Sequence, residues 1–391
     1  MKIIPYGKQC VDNLDIAEVV KVLKSDWITQ GSKVHEFEKA IARYCNAKYA
    51  VVVSSGTAAL HLSCLAIGLN KGDEAITSPI TFLATPNSVL YTGARPVFAD
   101  IDYDTVNINP TEIRNKITSK TKVILPVHFA GLPCDMPEIY KIAKNKGLKV
   151  IEDACHALGA EYKYNGKWIK IGSCKHSDMT VFSFHPVKAI TTGEGGVITT
   201  NNKLLYSKLL ALRSHGVYKT TDISTRKGSW YYEMRELGFN YRLTDFACAL
   251  GISQLKKLDR FLERRREIAL IYDRNIVQQG KQLCGYNTRS ARHLYILKMD
   301  FKYNKIKRIE LFNKLKKMGI NAQVHYIPIY RQYYYKKIYA INPLEYPNTE
   351  KYYNNAISIP LFPDMKNRDA VYVADALAHI LSGKTKREKY E

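Results

Sequence analysis

The sequence predicts an α/β protein in which a mostly parallel sheet of about seven strands lies between helices, followed by a smaller α+β region. Three observations predict it. Between about 47 and 200, short β-rich runs alternate with segments of helical period, the pattern that builds parallel sheets covered on both faces. The 391 residues suffice for two or three domains, or for one large domain with an appendage. With 46% hydrophobic and 24% charged residues, the composition is globular and excludes a disordered chain, a collagen-like repeat or a disulfide knot.

The elements follow in order. KYAVVV, EAITS, PVFAD, KVILPV and KVIED read as strands, with GTAALHLSCLAIG, TFLATPNSVLYTG and MPEIYKIAKNKG as the helices among them. MTVFSF and GGVITT complete the sheet. LLYSKLLALRSHG is a helix stopped by Gly216, and a polar stretch to about Lys227 reads as a mobile loop. The apolar period of LTDFACALGISQLKKLDRFLERRREIALIYDRNI predicts one long amphipathic helix connecting two lobes. Beyond about 285, HLYILKMD and NAQVHYIPI read as strands, IKRIELFNKLKKMG and AVYVADALAHILSG as helices, and GKTKREKYE as a frayed tail. The expected division is a large domain with its N-terminal segment over 1–250, and a connecting helix with a small domain over 251–391.

Charge and cysteine usage bound the function. The net charge is +23, and ten Lys or Arg face the single Glu310 between 301 and 340. That balance favours an anionic partner, although no arginine-rich tract or nucleic-acid module appears and a solvated, lysine-rich background accounts for it equally. The eight cysteines are spread without a C-x-x-C pair, as expected of reduced thiols. No run of about 18 apolar residues and no secretory leader is present, so a cytoplasmic protein is expected.

Ligands of open α/β sheets gather at the carboxyl ends of the strands, and three strand ends carry chemistry. The first runs into Ser54, Ser55, Gly56 and Thr57 and straight into a helix. Free N–H groups at such a helix start suit a phosphate, though an ordinary N-cap has the same look. KVIED ends in Asp153; a buried acid needs a cationic or strong donor partner. The protonated nitrogen of a pyridine ring is one, and helix capping is the plain alternative. FSFHPVKAITTGEGG brings Ser183, His185 and Lys188 together. Desolvation among Pro186, Val187, Ala189 and Ile190 favours a neutral Lys188 amine able to form a Schiff base.

Jointly, a phosphate-type helix start, an acid about 100 residues on and a lysine 35 residues after that resemble the fold type I pyridoxal-phosphate transferases. SSGTAAL, ITFLATPNS, VFADID, IEDACHALGA and the lysine segment are similar to the DegT/DnrJ/StrS family of nucleotide-sugar aminotransferases, and the likeness runs from IPYGKQ through WITQGSKVHEFE and LGFNYRLTDFACALGISQL to about 360. The resemblance implies pyridoxal 5′-phosphate as cofactor, anchored on Lys188, with Asp153 on the ring nitrogen and Phe82 on the ring face. It implies Gly56, Thr57 and Ser183 at the phosphate, His185 among the cofactor-binding residues, and Asn240 reaching the phosphate site of a second subunit in a homodimer. His156 stands where many members have Gln and is expected on the ring face opposite Phe82. On the substrate side it implies Tyr6, Thr29, Gln30 and His325.

Within the family, ACHALGA, SWYYEMRELGFNYRLTD and VHYIPIYRQYYY are most similar to the subgroup serving pseudaminic acid biosynthesis. That implies transfer of an amino group from L-glutamate to C4 of a UDP-4-keto-6-deoxy-N-acetylhexosamine. The expected partners are these small molecules and a second copy of the chain, with no nucleic acid and no membrane. The loop from Val217 to Lys227 and the segment around Tyr333 are candidate sugar contacts, and no arginine stands out for the glutamate carboxylate. Three alternatives remain: a bacillosamine-type aminotransferase; a pyridoxamine-dependent sugar dehydratase, whose known members carry His in place of the lysine; and a non-catalytic regulatory or nucleic-acid-binding protein.

Overall fold

The computed structural model describes residues 2–218, 228–276, 281–283, 285 and 287–382. Most of the loop expected to 227, Cys284 and the tail from 383 lie outside them.

The large sheet contains all seven expected strands. In chain order the strands are β1 (Tyr49–Val53), β2 (Glu74–Thr77), β3 (Arg95–Phe98), β4 (Thr121–Leu125), β5 (Lys149–Asp153), the hairpin β6 (Glu161–Tyr164) and β7 (Lys167–Lys170), then β8 (Met179–Ser183) and β9 (Gly196–Thr200). The sheet order is β1-β9-β8-β5-β4-β2-β3. β9 runs antiparallel to both its neighbours, and the other pairings are parallel. The strand interiors are mostly apolar because both faces of the sheet are covered. Val51, Val53, Val123, Leu125, Ile151, Val181 and Ile198 pack into one core, and Val52, Ile124, Val150, Phe182 and Val197 into another. Successive side chains thus alternate between two helix layers. Each fully buried Val, Ile or Leu contributes roughly 1.5–3 kcal/mol of apolar transfer.

Helices α1 (Asn13–Leu23), α2 (Ser32–Cys45), α3 (Gly56–Ala66), α4 (Ala84–Leu90), α5 (Pro110–Lys116), α6 (Met136–Asn145) and α7 (Lys203–Arg213) precede the connector. Phe37 and Ile41 of α2 and Ile139 of α6 cover one face, and Leu60 and Leu62 of α3 with Leu209 and Leu212 of α7 cover the other.

The connector departs from expectation. It is two helices, α8 (Asp245–Leu255) and α9 (Leu258–Ile276), broken at Lys256 and Lys257. α8 is buried on much of its surface and packs chiefly on α1 and α2, whereas α9 is amphipathic; one straight rod cannot serve both environments. Lys257 holds the corner, pairing with Asp12 at 2.8 Å and with the buried Asp15 at 2.6 Å at the start of α1. α9 then passes between cores: Leu258, Phe261 and Leu262 belong to the first, and Ile268, Ala269, Tyr272 and Ile276 to the second.

The second core gathers on the antiparallel strands Tyr295–Lys298 and Ala356–Ile359 with the helices Arg308–Lys317 and Asn367–Ser382. Ile4 joins this core through a bridge to Ile320. NAQVHYIPI is not a strand; its only ladder contact is a single bridge from Gln323 to Ser358. Its apolar residues go to separate clusters instead, Ala322 against the second core, Tyr326 beside Phe129, and Ile329 with Phe98, Tyr335 and Tyr346. The buried Arg265 of α9 donates to the carbonyls of His293 at 3.1 Å and Leu361 at 2.9 Å. It ties two backbone segments of this half of the chain together beside the cleft described next.

Candidate active site

The parallel strands β4, β5 and β8 end at one edge of the sheet, where the antiparallel β9 begins: Ser183 and Val53 both pair with Gly196. A cleft of about 520 Å³ opens at that edge. It is lined by Gly56, Thr57, Phe82, Asp153, His156, Ser183, His185 and Lys188, and by Tyr6 and His325 on its far side. Ten of the residues singled out in the sequence therefore share one cavity, though they come from segments as far apart as 6 and 325. Thr29, Gln30 and Asn240 do not line it. Thr29 bridges Thr244 and Gln30 lines a separate hollow beside Asp245; Asn240 bridges Ser214 and is exposed.

Each chemical group is placed by its element. Ser55 caps α3, its hydroxyl accepting the Ala58 N–H at 3.0 Å. The N–H groups of Gly56 and Thr57, in the first turn, have no preceding helical carbonyl to donate to. A Cβ on residue 56 would stand 2.9 Å from the Ser183 Cβ, so glycine is what lets the helix start and the end of β8 approach closely. The result is a narrow, donor-rich cradle flanked by the Thr57 and Ser183 hydroxyls, suited to a phosphate.

Asp153 closes β5 and is 5% exposed. No helix follows it, so it caps none. Its Oδ1 accepts the Cys155 N–H at 3.1 Å and its Oδ2 accepts the Thr85 hydroxyl at 2.6 Å. Lys188 lies in the loop between β8 and β9, half-buried, its backbone N–H bonded to the His185 carbonyl at 2.9 Å. Burial lowers its pKa from the ordinary lysine value, and the nearby Cys155 and Asp153 partly oppose that. Phe82 stands at the mouth, 57% exposed.

Three cleft histidines are held neutral. Burial drives the pKa values of His156 and His293 well below the ordinary imidazole range and pushes His325 down to about 3, with the Lys188 charge acting in the same direction. His156 and His293 lie with ring centroids 4.3 Å apart, and each has a buried Nδ1 without a partner. Tyr326 meets the His156 Nε2 at 3.2 Å and lies nearly parallel to its ring. Tyr326, His293, Thr85 and Cys155 were not singled out in the sequence. Thr85 and Tyr326 had a visible signal, falling within the family-like strings ITFLATPNS and VHYIPIYRQYYY; His293 had none, because only tertiary packing carries it to the cleft.

The donor cradle, the buried acid, the desolvated amine and the exposed aromatic face match the phosphate, ring nitrogen, aldehyde and ring plane of pyridoxal phosphate. Fold and site together define a pyridoxal-phosphate-dependent transferase. The chain belongs to the DegT/DnrJ/EryC1/StrS aminotransferase family, which residues 9–378 match. It is similar to the UDP-4-amino-4,6-dideoxy-N-acetyl-β-L-altrosamine transaminase of Campylobacter jejuni, with 42% identity over 385 residues and 97% of each chain covered. Among solved structures it resembles Helicobacter pylori PseC, an aminotransferase involved in the biosynthesis of pseudaminic acid, at 34% identity and a TM-score of 0.89 over 98% of this chain and 100% of that one. The pyridoxal-phosphate form of a sugar aminotransferase, Spr1654 of Streptococcus pneumoniae, matches at 28% identity and a TM-score of 0.88, with 97% of this chain and 99% of that one covered. No helix among the described residues is long and apolar enough to cross a membrane.

Proposed function

We propose that this chain moves the amino group of L-glutamate to C4 of a UDP-linked 4-keto-6-deoxy-N-acetylhexosamine, giving UDP-4-amino-4,6-dideoxy-N-acetyl-β-L-altrosamine for pseudaminic acid biosynthesis. The carrying observation is that Lys188 shares a cleft with Asp153 and the α3 cradle; similarity to the Campylobacter transaminase and to PseC supports the choice of sugar. When bound, pyridoxal phosphate supplies an aldehyde that takes up the amino group and a ring that delocalises the electron pair left by deprotonation. The cradle of Gly56, Thr57 and Ser183 fixes the phosphate, Phe82 covers one ring face, and Asp153 holds the proton of the ring nitrogen. Lys188 Nζ removes the proton from Cα of glutamate in the first half-reaction and delivers one to C4 of the sugar in the second. Tyr6 and His325 face the sugar. Lys188 also argues against the dehydratase alternative, whose known members carry His there.

Shape must select the sugar, because epimeric ketones carry the same functional groups. A pocket whose hydrogen bonds fit one configuration leaves buried polar groups unpaired with the other, at about 1–3 kcal/mol each. The enzyme is expected to aminate the β-L-arabino 4-keto sugar about ten- to a hundredfold faster, in kcat/KM, than the D-xylo epimer. The measurement is 2-oxoglutarate release with each sugar. Equal values, or a preference for D-xylo, would indicate a bacillosamine-type enzyme.

The active unit is a homodimer in which Asn240 completes the phosphate cradle of the partner, and the N-terminal Thr29 and Gln30 serve the partner's sugar. Support comes from their absence from the chain's own cleft and from exposed apolar side chains near them, including Trp27, Trp230, Met234 and Leu237. Light scattering should show active protein only at twice the chain mass or above; an active monomer contradicts this. The same reading expects a cytoplasmic enzyme, with which the seven free cysteines among the described residues are compatible.

A further inference from the structure

A chain of hydroxyls stands behind Asp153. The Thr85 Oγ1 lies 2.6 Å from Asp153 Oδ2, and the Thr81 Oγ1 lies 2.7 Å from that of Thr85. Thr85 is fully buried and Thr81 nearly so. A threonine hydroxyl has one proton to give. An ionised carboxylate can only accept, so Thr85 spends its proton on Asp153 and Thr81 must donate to Thr85. The order of protons is then one-directional, from Thr81 through Thr85 to Asp153.

The Cys155 N–H holds the other carboxylate oxygen at 3.1 Å. Asp153 is thereby held on both oxygens, and it lines the cleft. Thr81 and Thr85 are four residues apart, with Phe82 between them at the cleft mouth. One short segment therefore delivers both an aromatic face and the support of the acid.

We propose that Thr85, with Thr81 behind it, is a positioning residue that orders the protons around Asp153 so that its carboxylate accepts from the ring nitrogen of the cofactor. This rests on the role given to Asp153 above. Hydrogen bonds donated to the carboxylate disperse its charge, but by fixing its orientation they keep its free lone pairs on the ring nitrogen, and a carboxylate released to turn holds the ring proton only to lower pH.

The test is the nitrogen-15 chemical shift of pyridoxal phosphate labelled at the ring nitrogen, followed against pH in the holoenzyme, a readout independent of turnover. Thr85→Val keeps the shape and removes the hydroxyl; it should lower the midpoint of ring-nitrogen deprotonation by about one pH unit. Thr85→Ser should restore it, and Thr81→Val, one link further back, should lower it less. Should Thr85→Val fail to fold, Thr81→Val carries the test. Midpoints unchanged in both valine variants, with Asp153→Asn shifted, would overturn the role of Thr85 and leave that of Asp153. An unchanged Asp153→Asn would overturn both.

Discussion

Replacing Lys188 by alanine is expected to lower turnover about 10⁴-fold or more, the upper end of what a positioned acid–base group supplies and about 5.5 kcal/mol of barrier. The loss is large because the proposed mechanism gives one amine two duties, holding the cofactor and carrying the proton at both half-reactions. Burial lowers the Lys188 pKa, so its neutral, proton-accepting fraction at a given pH exceeds that of a solvated lysine. The wild-type rate should therefore rise with pH on its acid limb as the amine deprotonates, and the variant should lose that limb. Lys188 lies in a loop rather than in a core cluster, so folding should survive and pyridoxamine phosphate should still bind. Single-turnover release of 2-oxoglutarate measures the chemistry. An absorbance band near the visible edge, abolished by borohydride in the wild type and absent from the variant, reports the covalent link. Retention of more than about one per cent of kcat would remove Lys188 from the reaction.

The sheet was legible for a physical reason. Its strands are covered on both faces, so they read as short, β-branched, mostly apolar runs bounded by turn residues, and all seven runs named from the sequence pair in one sheet. Strands with less burial hid. The hairpin β6–β7, EYKYNGKWIK, is half-exposed and polar, and Ala356–Ile359 is four residues long behind a helix ending in two asparagines. The opposite error came at NAQVHYIPI, where alternation suggested a strand, but its apolar residues are divided among three clusters and leave only one bridge. The connector misled in period: a sustained apolar pattern does not show where its buried face rotates, and the break at Lys256 and Lys257 depends on Asp12 and Asp15, more than 200 residues away.

The same distinction separates the site residues. Those at strand ends were readable, since the carboxyl edge of a parallel sheet is a known place for chemistry. Gly56, Asp153, Ser183 and Lys188 each follow or close a strand and meet in one cleft. Residues from the second half of the chain were not readable. His293 reaches the cleft from a segment ordered by Arg265 through a carbonyl, and Tyr326 from a segment with no regular structure. His325 was named only through family resemblance, yet it too lines the cavity.

Asp153→Asn is expected to lower kcat about 10²–10³-fold, the cost typical of removing one preorganised electrostatic partner, with little change in the KM for glutamate. The carboxamide is nearly isosteric, and the surrounding hydrogen bonds can accommodate it. Its oxygen can keep the Cys155 N–H, and its NH₂ can face Thr85, whose hydroxyl then turns to donate to Thr81. The hydroxyl chain reverses direction and no buried polar group is stranded. What is lost is the negative charge opposite the ring nitrogen. A neutral amide does not hold a proton there, and an unprotonated ring is a weaker acceptor for the electron pair released when Lys188 takes the Cα proton. In the proposed site, binding rests on the cradle of Gly56, Thr57 and Ser183 and on Phe82, none of which the substitution replaces. The expected signature is therefore a split, with cofactor affinity within about threefold of wild type and the rate down by about 3–4 kcal/mol of barrier. Substrate deuterated at Cα adds a second check. Slower proton removal should raise the primary isotope effect on the donor half-reaction. A variant with wild-type kcat, or one that loses cofactor affinity and rate together, would mean that Asp153 supports the fold of the cleft rather than the electronics of the ring.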